Sequence, residues 1–163
     1  MWLDWRNCMK SKSFFPLYVN LEGKLAVVVG GGKIATRRVK ALSQFTREIR
    51  VVSPKVTQEL EDLSKAGAVA WINRKCRRSD LSDAYMVIAA TDDRRVNDDI
   101  YRICKEEGIY VNVASDKEKC DFYFPGIVRY KEMVIGINAS GLDHQKARRV
   151  REAIEKVLME EDI

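Results

Sequence analysis

Three consecutive glycines, Gly30, Gly31 and Gly32, have the type and spacing in this chain that most directly imply chemistry. Five apolar residues, Leu25 to Val29, run into them, and Ala35 begins a stretch with helical periodicity. Glycine lets the chain turn tightly and lets a ligand approach the backbone with no side chain in the way. A helix that starts after such a turn aims free N–H groups and its positive dipole end at one point, which favours a phosphate. Gly30-x-Gly32-x-x-Ala35 is thus a G-x-G-x-x-G/A dinucleotide pattern in a strand–turn–helix setting, with Gly31, Lys33 and Ile34 completing the turn. The competing explanation of the same glycines is close helix–strand packing alone.

The usual companion of this pattern is an Asp or Glu about 20 residues on, which bonds the ribose 2′-OH. Here that place holds Ser53, followed by Pro54 and Lys55. A serine hydroxyl can bond a ribose hydroxyl but does not repel a 2′-phosphate as a carboxylate would, so the pattern alone leaves NAD and NADP open. Further along, Thr91 and Asp92 follow an apolar run, and Asn112 to Ser115 follow another. The stretch from Asp116 to Asp121, DKEKCD, offers a base or a metal ligand, or is simply a solvated connector.

A second signal lies near the C-terminus. His144, Lys146, Arg148, Arg149 and Arg151 come early in the final helical stretch, and Glu155, Glu160, Glu161 and Asp162 come late. Both placements oppose the helix macrodipole, at about 0.3–1 kcal/mol per exposed charge. An arrangement that costs stability implies a polyanion at the basic end. The alternative is a charged face laced by i,i+4 pairs such as Arg148–Glu152 and Arg151–Glu155.

The elements that must position these residues follow from periodicity. Continuous apolar runs at Leu25–Val29 and Tyr85–Ala90 suit parallel strands buried on both faces. Ile49–Val52, Val69–Ile72 and Ile109–Val113 read as three more strands. Helical spacing falls between them, over about Lys33–Gln44, at Val56, Leu60 and Leu63, and at Ile100, Ile103 and Cys104, with stops at Gly67 and Gly108. Phe14–Leu21 reads as an extended lead-in whose Pro16 argues for a sheet edge. After Val113 the rhythm changes to a hairpin, Phe122–Val128 with Met133–Asn138, and a helix from about Asp143 to Glu160.

The fold class expected is α/β: a Rossmann-like doubly wound parallel sheet followed by a small α+β segment of hairpin plus helix. Residues 1–13 read as a flexible leader, 14–113 as the dinucleotide domain and 114–163 as the appended segment, too small to hold its own core securely. With 163 residues and 46% hydrophobic content the chain can bury a core. No apolar run approaches the ~20 residues of a membrane span, and the first ten residues lack a signal-peptide core. A cytoplasmic protein is expected. Four scattered cysteines and a single histidine do not make a structural zinc site. The net charge of +5 permits nucleic acid but equally suits an acidic small molecule.

Taken in order, VVVGGGKIATRR, VVSP, IAATDD followed by Asn97, VNVASD and CDFYFPG resemble one family, precorrin-2 dehydrogenase/sirohydrochlorin ferrochelatase, the N-terminal module of siroheme synthase. The Ala147-Arg148-Arg149-Val150-Arg151 stretch fits as well, and the resemblance spans about Phe14 to Lys156. It implies NAD⁺-dependent oxidation of precorrin-2 to sirohydrochlorin, with Fe²⁺ insertion in some members, and a homodimer formed through the region after the nucleotide domain. A tetrapyrrole bearing eight carboxylates accounts for the basic turn better than nucleic acid does, making Asn112, His144, Arg148, Arg149 and Arg151 candidates for substrate binding. The family commonly carries an aspartate directly after the fifth strand, where an ungapped reading puts Ser115 with Asp116 next. Asp116 is therefore the expected base, with Ser115 beside it. The alternatives are a non-enzymatic dinucleotide- or tetrapyrrole-binding subunit and a chelatase acting on sirohydrochlorin alone.

Overall fold

A computed structural model describes residues 15–139 and 143–160, with the His144 side chain outside the described residues. The leader expected over residues 1–13 also lies outside them. In chain order the elements are β1 (Ala26–Val29), α1 (Lys33–Leu42), β2 (Ile49–Val52), α2 (Gln58–Lys65), β3 (Ala70–Ile72), β4 (Met86–Ala89), α3 (Arg94–Glu107) and β5 (Tyr110–Val113). A hairpin of β6 (Gly126–Tyr130) and β7 (Met133–Ile137) and a last helix α4 (His144–Glu160) follow. The described chain forms two compact units, Val19–Phe122 and residues 15–18 with 123–139 and 143–160.

In the larger unit five strands lie in the order β3-β2-β1-β4-β5, and every neighbouring pair is parallel. The order reverses between β1 and β4, the switch point beyond whose carboxyl ends such sheets take ligands. All four residues of β1 and of β4 are buried, as strands covered on both faces require. Because side chains alternate along a strand, Val27, Val29, Val87, Ala89, Val111 and Val113 share one face, packed with Leu81, Ile100 and Cys104. Fully burying a valine of this kind contributes about 1.5–3 kcal/mol relative to leaving it in water.

The helices begin in different ways. Thr57 caps α2 by accepting from Leu60 N–H at 3.3 Å, and Asp93 caps α3 by accepting from Arg95 N–H at 2.9 Å and Val96 N–H at 3.4 Å. Gly108, with φ 70°, closes α3 in the left-handed conformation that glycine adopts without strain. The buried face of α3 is Asn97, Ile100 and Cys104, so one polar residue sits in an otherwise apolar stripe.

Two expected elements differ. Residues 15–21 join no sheet; Phe15, Leu17, Tyr18 and Val19 of this lead-in are exposed, and Leu21 at its end is buried in the core. The hairpin strand starts at Gly126 rather than Phe122, because the preceding residues run back along β5. Asn112 and Cys120 form an antiparallel bridge, Asp121 N–H donates to Val111 O at 2.9 Å, and the Asn112 side-chain amide donates to Phe122 O at 2.8 Å. The compact unit consequently reaches Phe122, beyond Ala114.

In the smaller unit the antiparallel hairpin turns at Lys131, with φ 52°, and α4 packs on it. Tyr18 Oη donates to Val134 O at 3.0 Å, and the stem of Arg151 lies over Gly126.

Candidate functional site

The β1–α1 turn shows what each glycine does. A Cβ on Gly30 would overlap the Ala90 carbonyl oxygen, and one on Gly31 would overlap that of Lys55. Gly30 also has φ 121°, a conformation side chains rarely adopt. These two glycines let the turn lie against the β4 and β2 exits, and Thr57 N–H fixes it by donating to Gly31 O at 2.9 Å. Gly32 is different: nothing lies within 4 Å of its Cβ direction, and it forms the N-cap of α1 with ordinary φ of −82°. No side chain caps α1 and no acid stands in its first turn. Its leading N–H groups, at Lys33 and Ile34, therefore face open space with the positive end of the helix dipole behind them, which fits a pyrophosphate. Lys33 is exposed, as is Ile34 at 45%.

At the β2 exit Ser53 is buried and its hydroxyl donates to the Lys55 carbonyl at 2.6 Å. Trp71 Nε1–H donates to Ser53 O at 2.9 Å, fixing the bend that Pro54 continues. Pro54 and Lys55 are exposed.

The β4 and β5 exits are joined by a residue not among the expected site residues. Asn97 is 1% exposed. Its Oδ1 accepts from Thr91 N–H at 3.3 Å and from the Thr91 hydroxyl at 2.7 Å. Its Nδ2 donates to Thr91 O at 3.1 Å and to Ser115 Oγ at 3.4 Å. Its sequence signals are its place after IAATDD in the family pattern and on the α3 stripe with Ile100 and Cys104, where an apolar residue is the ordinary choice. Thr91 is half-buried, while Asp92 and Ser115 are exposed.

Asp116 sits in the turn after β5, where its Oδ1 accepts from Glu118 N–H at 3.0 Å and its Oδ2 lies 3.7 Å from Lys119 Nζ. Lys119 itself pairs with Asp98 on α3 at 2.5 Å. Asn112 turns inward, donating to Phe122 O and, at 3.4 Å, to Cys120 Sγ, so its amide straps the returning chain to β5. Burial raises the Cys120 thiol pKa above its ordinary value, which keeps it protonated at neutral pH. Among the described residues no group of three or more His, Cys, Asp or Glu side chains is placed to hold a metal ion.

On α4 the opposition to the dipole is partly relieved. Asp143, just before the helix, accepts from Lys146 N–H at 2.7 Å and caps it. Arg148 pairs with Glu152 at 2.7 Å and Arg151 with Glu155 at 2.5 Å. Arg149 is exposed.

A parallel sheet with an uncapped glycine turn at its switch point defines a dinucleotide-binding protein. The chain belongs to the family described as "Putative NAD(P)-binding", whose model matches residues 17–126, and its cofactor is accordingly a nicotinamide dinucleotide. Among curated proteins it is 39% identical over 144 residues to the "Probable multifunctional siroheme biosynthesis protein HemA" of Ruminiclostridium josui, covering 88% of this chain and 28% of that protein. It is 31% identical over 145 residues to the siroheme synthase of Nitrosococcus oceani, covering 89% and 31%. The chain thus spans under a third of the length of these two relatives. Of solved structures, the precorrin-2 dehydrogenase SirC superposes with a TM-score of 0.76 at 25% identity, covering 88% of this chain and 70% of that one. No helix among the described residues is long and apolar enough to cross a membrane.

Proposed function

We propose that this chain is an NAD⁺-dependent precorrin-2 dehydrogenase, oxidising precorrin-2 to sirohydrochlorin with release of NADH and a proton. The observation that carries this reading is the open, uncapped N-terminus of α1 at Gly32, on the same carboxyl edge of the sheet as the Ser115–Asp116 turn. The likeness to SirC and to siroheme-forming proteins supports the choice of substrate.

The bound dinucleotide supplies the hydride acceptor. Gly30 to Gly32 with the N–H groups of Lys33 and Ile34 hold its pyrophosphate, and Ser53, Pro54 and Lys55 border the adenosine side. Ser53 has its hydrogen committed to Lys55 O, so toward a ribose it offers lone pairs that accept from a 2′-OH and no hydrogen for a 2′-phosphate to accept. That polarity favours NAD⁺ over NADP⁺. Thr91 and Asp92 border the nicotinamide ribose. Asp116 takes the proton released as hydride leaves a ring carbon, and its Oδ1 hydrogen bond to Glu118 N–H holds the carboxylate in the turn. Arg148, Arg149 and Arg151 meet substrate carboxylates, Arg149 most readily because the other two are engaged with Glu152 and Glu155.

The chain acts as a homodimer in this reading, supported by Val150, Val157 and Met133, which the small unit leaves exposed. Sedimentation at micromolar concentration tests it, and a monomer contradicts it. For the reaction itself, NADH absorbance is followed after mixing the protein with precorrin-2 and NAD⁺ without oxygen. NADH formation in step with sirohydrochlorin is expected, several-fold slower with NADP⁺. Saturable nucleotide binding with no NADH above background would mark a binding subunit instead.

A further inference from the structure

This inference rests on the dehydrogenase reading and concerns the direction in which one hydrogen points. A backbone N–H only donates and a backbone carbonyl only accepts, so Thr91 leaves the Asn97 amide a single orientation. Oδ1 must face Thr91 N–H and Nδ2 must face Thr91 O. The second Nδ2 hydrogen then points at Ser115 Oγ, which has to accept it. Oδ1 and both Nδ2 hydrogens of the buried amide are thereby engaged, and the Ser115 hydroxyl keeps its own hydrogen. That side chain is exposed, and its hydrogen meets no acceptor among the described residues.

We propose that Asn97 is a positioning residue that fixes Ser115 as a hydrogen-bond donor toward the ligand at the β4–β5 side of the cleft. The acceptor is an oxygen of that ligand, either the nicotinamide carboxamide or a substrate carboxylate. A hydroxyl held in this sense is not a base, which leaves proton removal to Asp116. The Asn97 network also ties the β4 exit to the β5 exit, so the donor and the ribose-bordering Thr91 move as one piece.

The test is steady-state kinetics of the full chain with Ser115→Ala, Ser115→Thr, Asn97→Asp and the Asn97→Asp/Ser115→Ala double variant. Ser115→Ala raises one KM about tenfold, that for NAD⁺ if the carboxamide is the acceptor and that for precorrin-2 if a carboxylate is. Ser115→Thr keeps the hydroxyl and stays within about threefold of the parent. Asn97→Asp offers Ser115 an acceptor, draws its hydrogen inward and raises the same constant, and adding Ser115→Ala raises that constant no further. Losses that multiply, or both KM values within about twofold of the parent in Ser115→Ala, would overturn the proposal. Should Asn97→Asp fail to fold, the Ala and Thr pair decides together with the pH profile. A basic-limb pKa that moves or vanishes in Ser115→Ala would make the serine a base and contradict the assignment. A parent that makes no NADH fails the dehydrogenase reading, whereas an active parent indifferent to Ser115→Ala fails this inference alone.

Discussion

The β3–β4 connection and the carboxyl edge of the sheet are both rich in polar groups, yet they treat them oppositely. In the connection, Arg74 bonds both carboxylate oxygens of Asp80 at 2.6 and 2.7 Å, and Arg77 N–H reaches the same group at 2.7 Å. Arg50 bonds Asp80 O and both oxygens of Asp83, and Arg78 bonds Glu106 and Glu107. Donors and acceptors there satisfy one another, which holds the chain but leaves little for a ligand. At the carboxyl edge, Gly32 leaves a helix start uncapped and Ser115 keeps a hydrogen. Polarity that is internally matched stabilises a fold, and polarity left unmatched at one edge is where function is to be sought.

That contrast can be broken in graded ways. Asp116→Asn has the largest expected effect, a fall in kcat of about 10²–10⁴-fold if the carboxylate is the base. The fold should be spared, because an asparagine Oδ1 can still accept from Glu118 N–H, and a thermal melt beside the kinetics checks this. Gly31→Ala comes next, since its methyl group meets backbone rather than a flexible side chain. A loss of about 1–3 kcal/mol in urea unfolding is expected, with weaker NAD⁺ binding as the turn shifts.

Asp80→Asn probes the matched region and should leave NAD⁺ affinity unchanged while costing about 1–3 kcal/mol of stability. Its pH dependence has a definite sign. The hydrogen bonds from Arg74 lower the Asp80 pKa below the ordinary 3.8. The stabilisation is thus complete above the unfolded value and is lost as pH falls through the lower folded one. Urea midpoints measured downward from pH 5 should decline less steeply in the variant, and equal slopes would remove Asp80 from the acid limb. Arg149→Ala is the mildest change, expected to raise the KM for precorrin-2 about threefold to tenfold with an unaltered melting temperature.

The sequence makes the nucleotide turn plain because few residues other than glycine solve its steric problem, and its strand and helix carry unmistakable periodicities. The alternation β–α–β likewise announces the parallel sheet. The start of the hairpin is hidden because Phe122 to Pro125 look strand-like, whereas the Asn112 side chain that ties the chain back to β5 acts across ten residues. Asn97 is hidden for a related reason: an asparagine on a helix is usually solvated, and only the packed α3 stripe places it inside. Asp143 was legible in principle, as an acid just before a helix. It softens the dipole argument for the basic turn without removing Arg149 from consideration.

Titration of NAD⁺ into the parent and into Gly32→Ala, by calorimetry alongside urea unfolding, tests most directly the claim that the open turn is the nucleotide site. The parent should bind saturably. Because nothing lies where the new methyl group goes, Gly32→Ala should keep its stability within about 1 kcal/mol and lose at least about tenfold in affinity. Unchanged affinity in Gly32→Ala, or no saturable binding by the parent, would contradict the account.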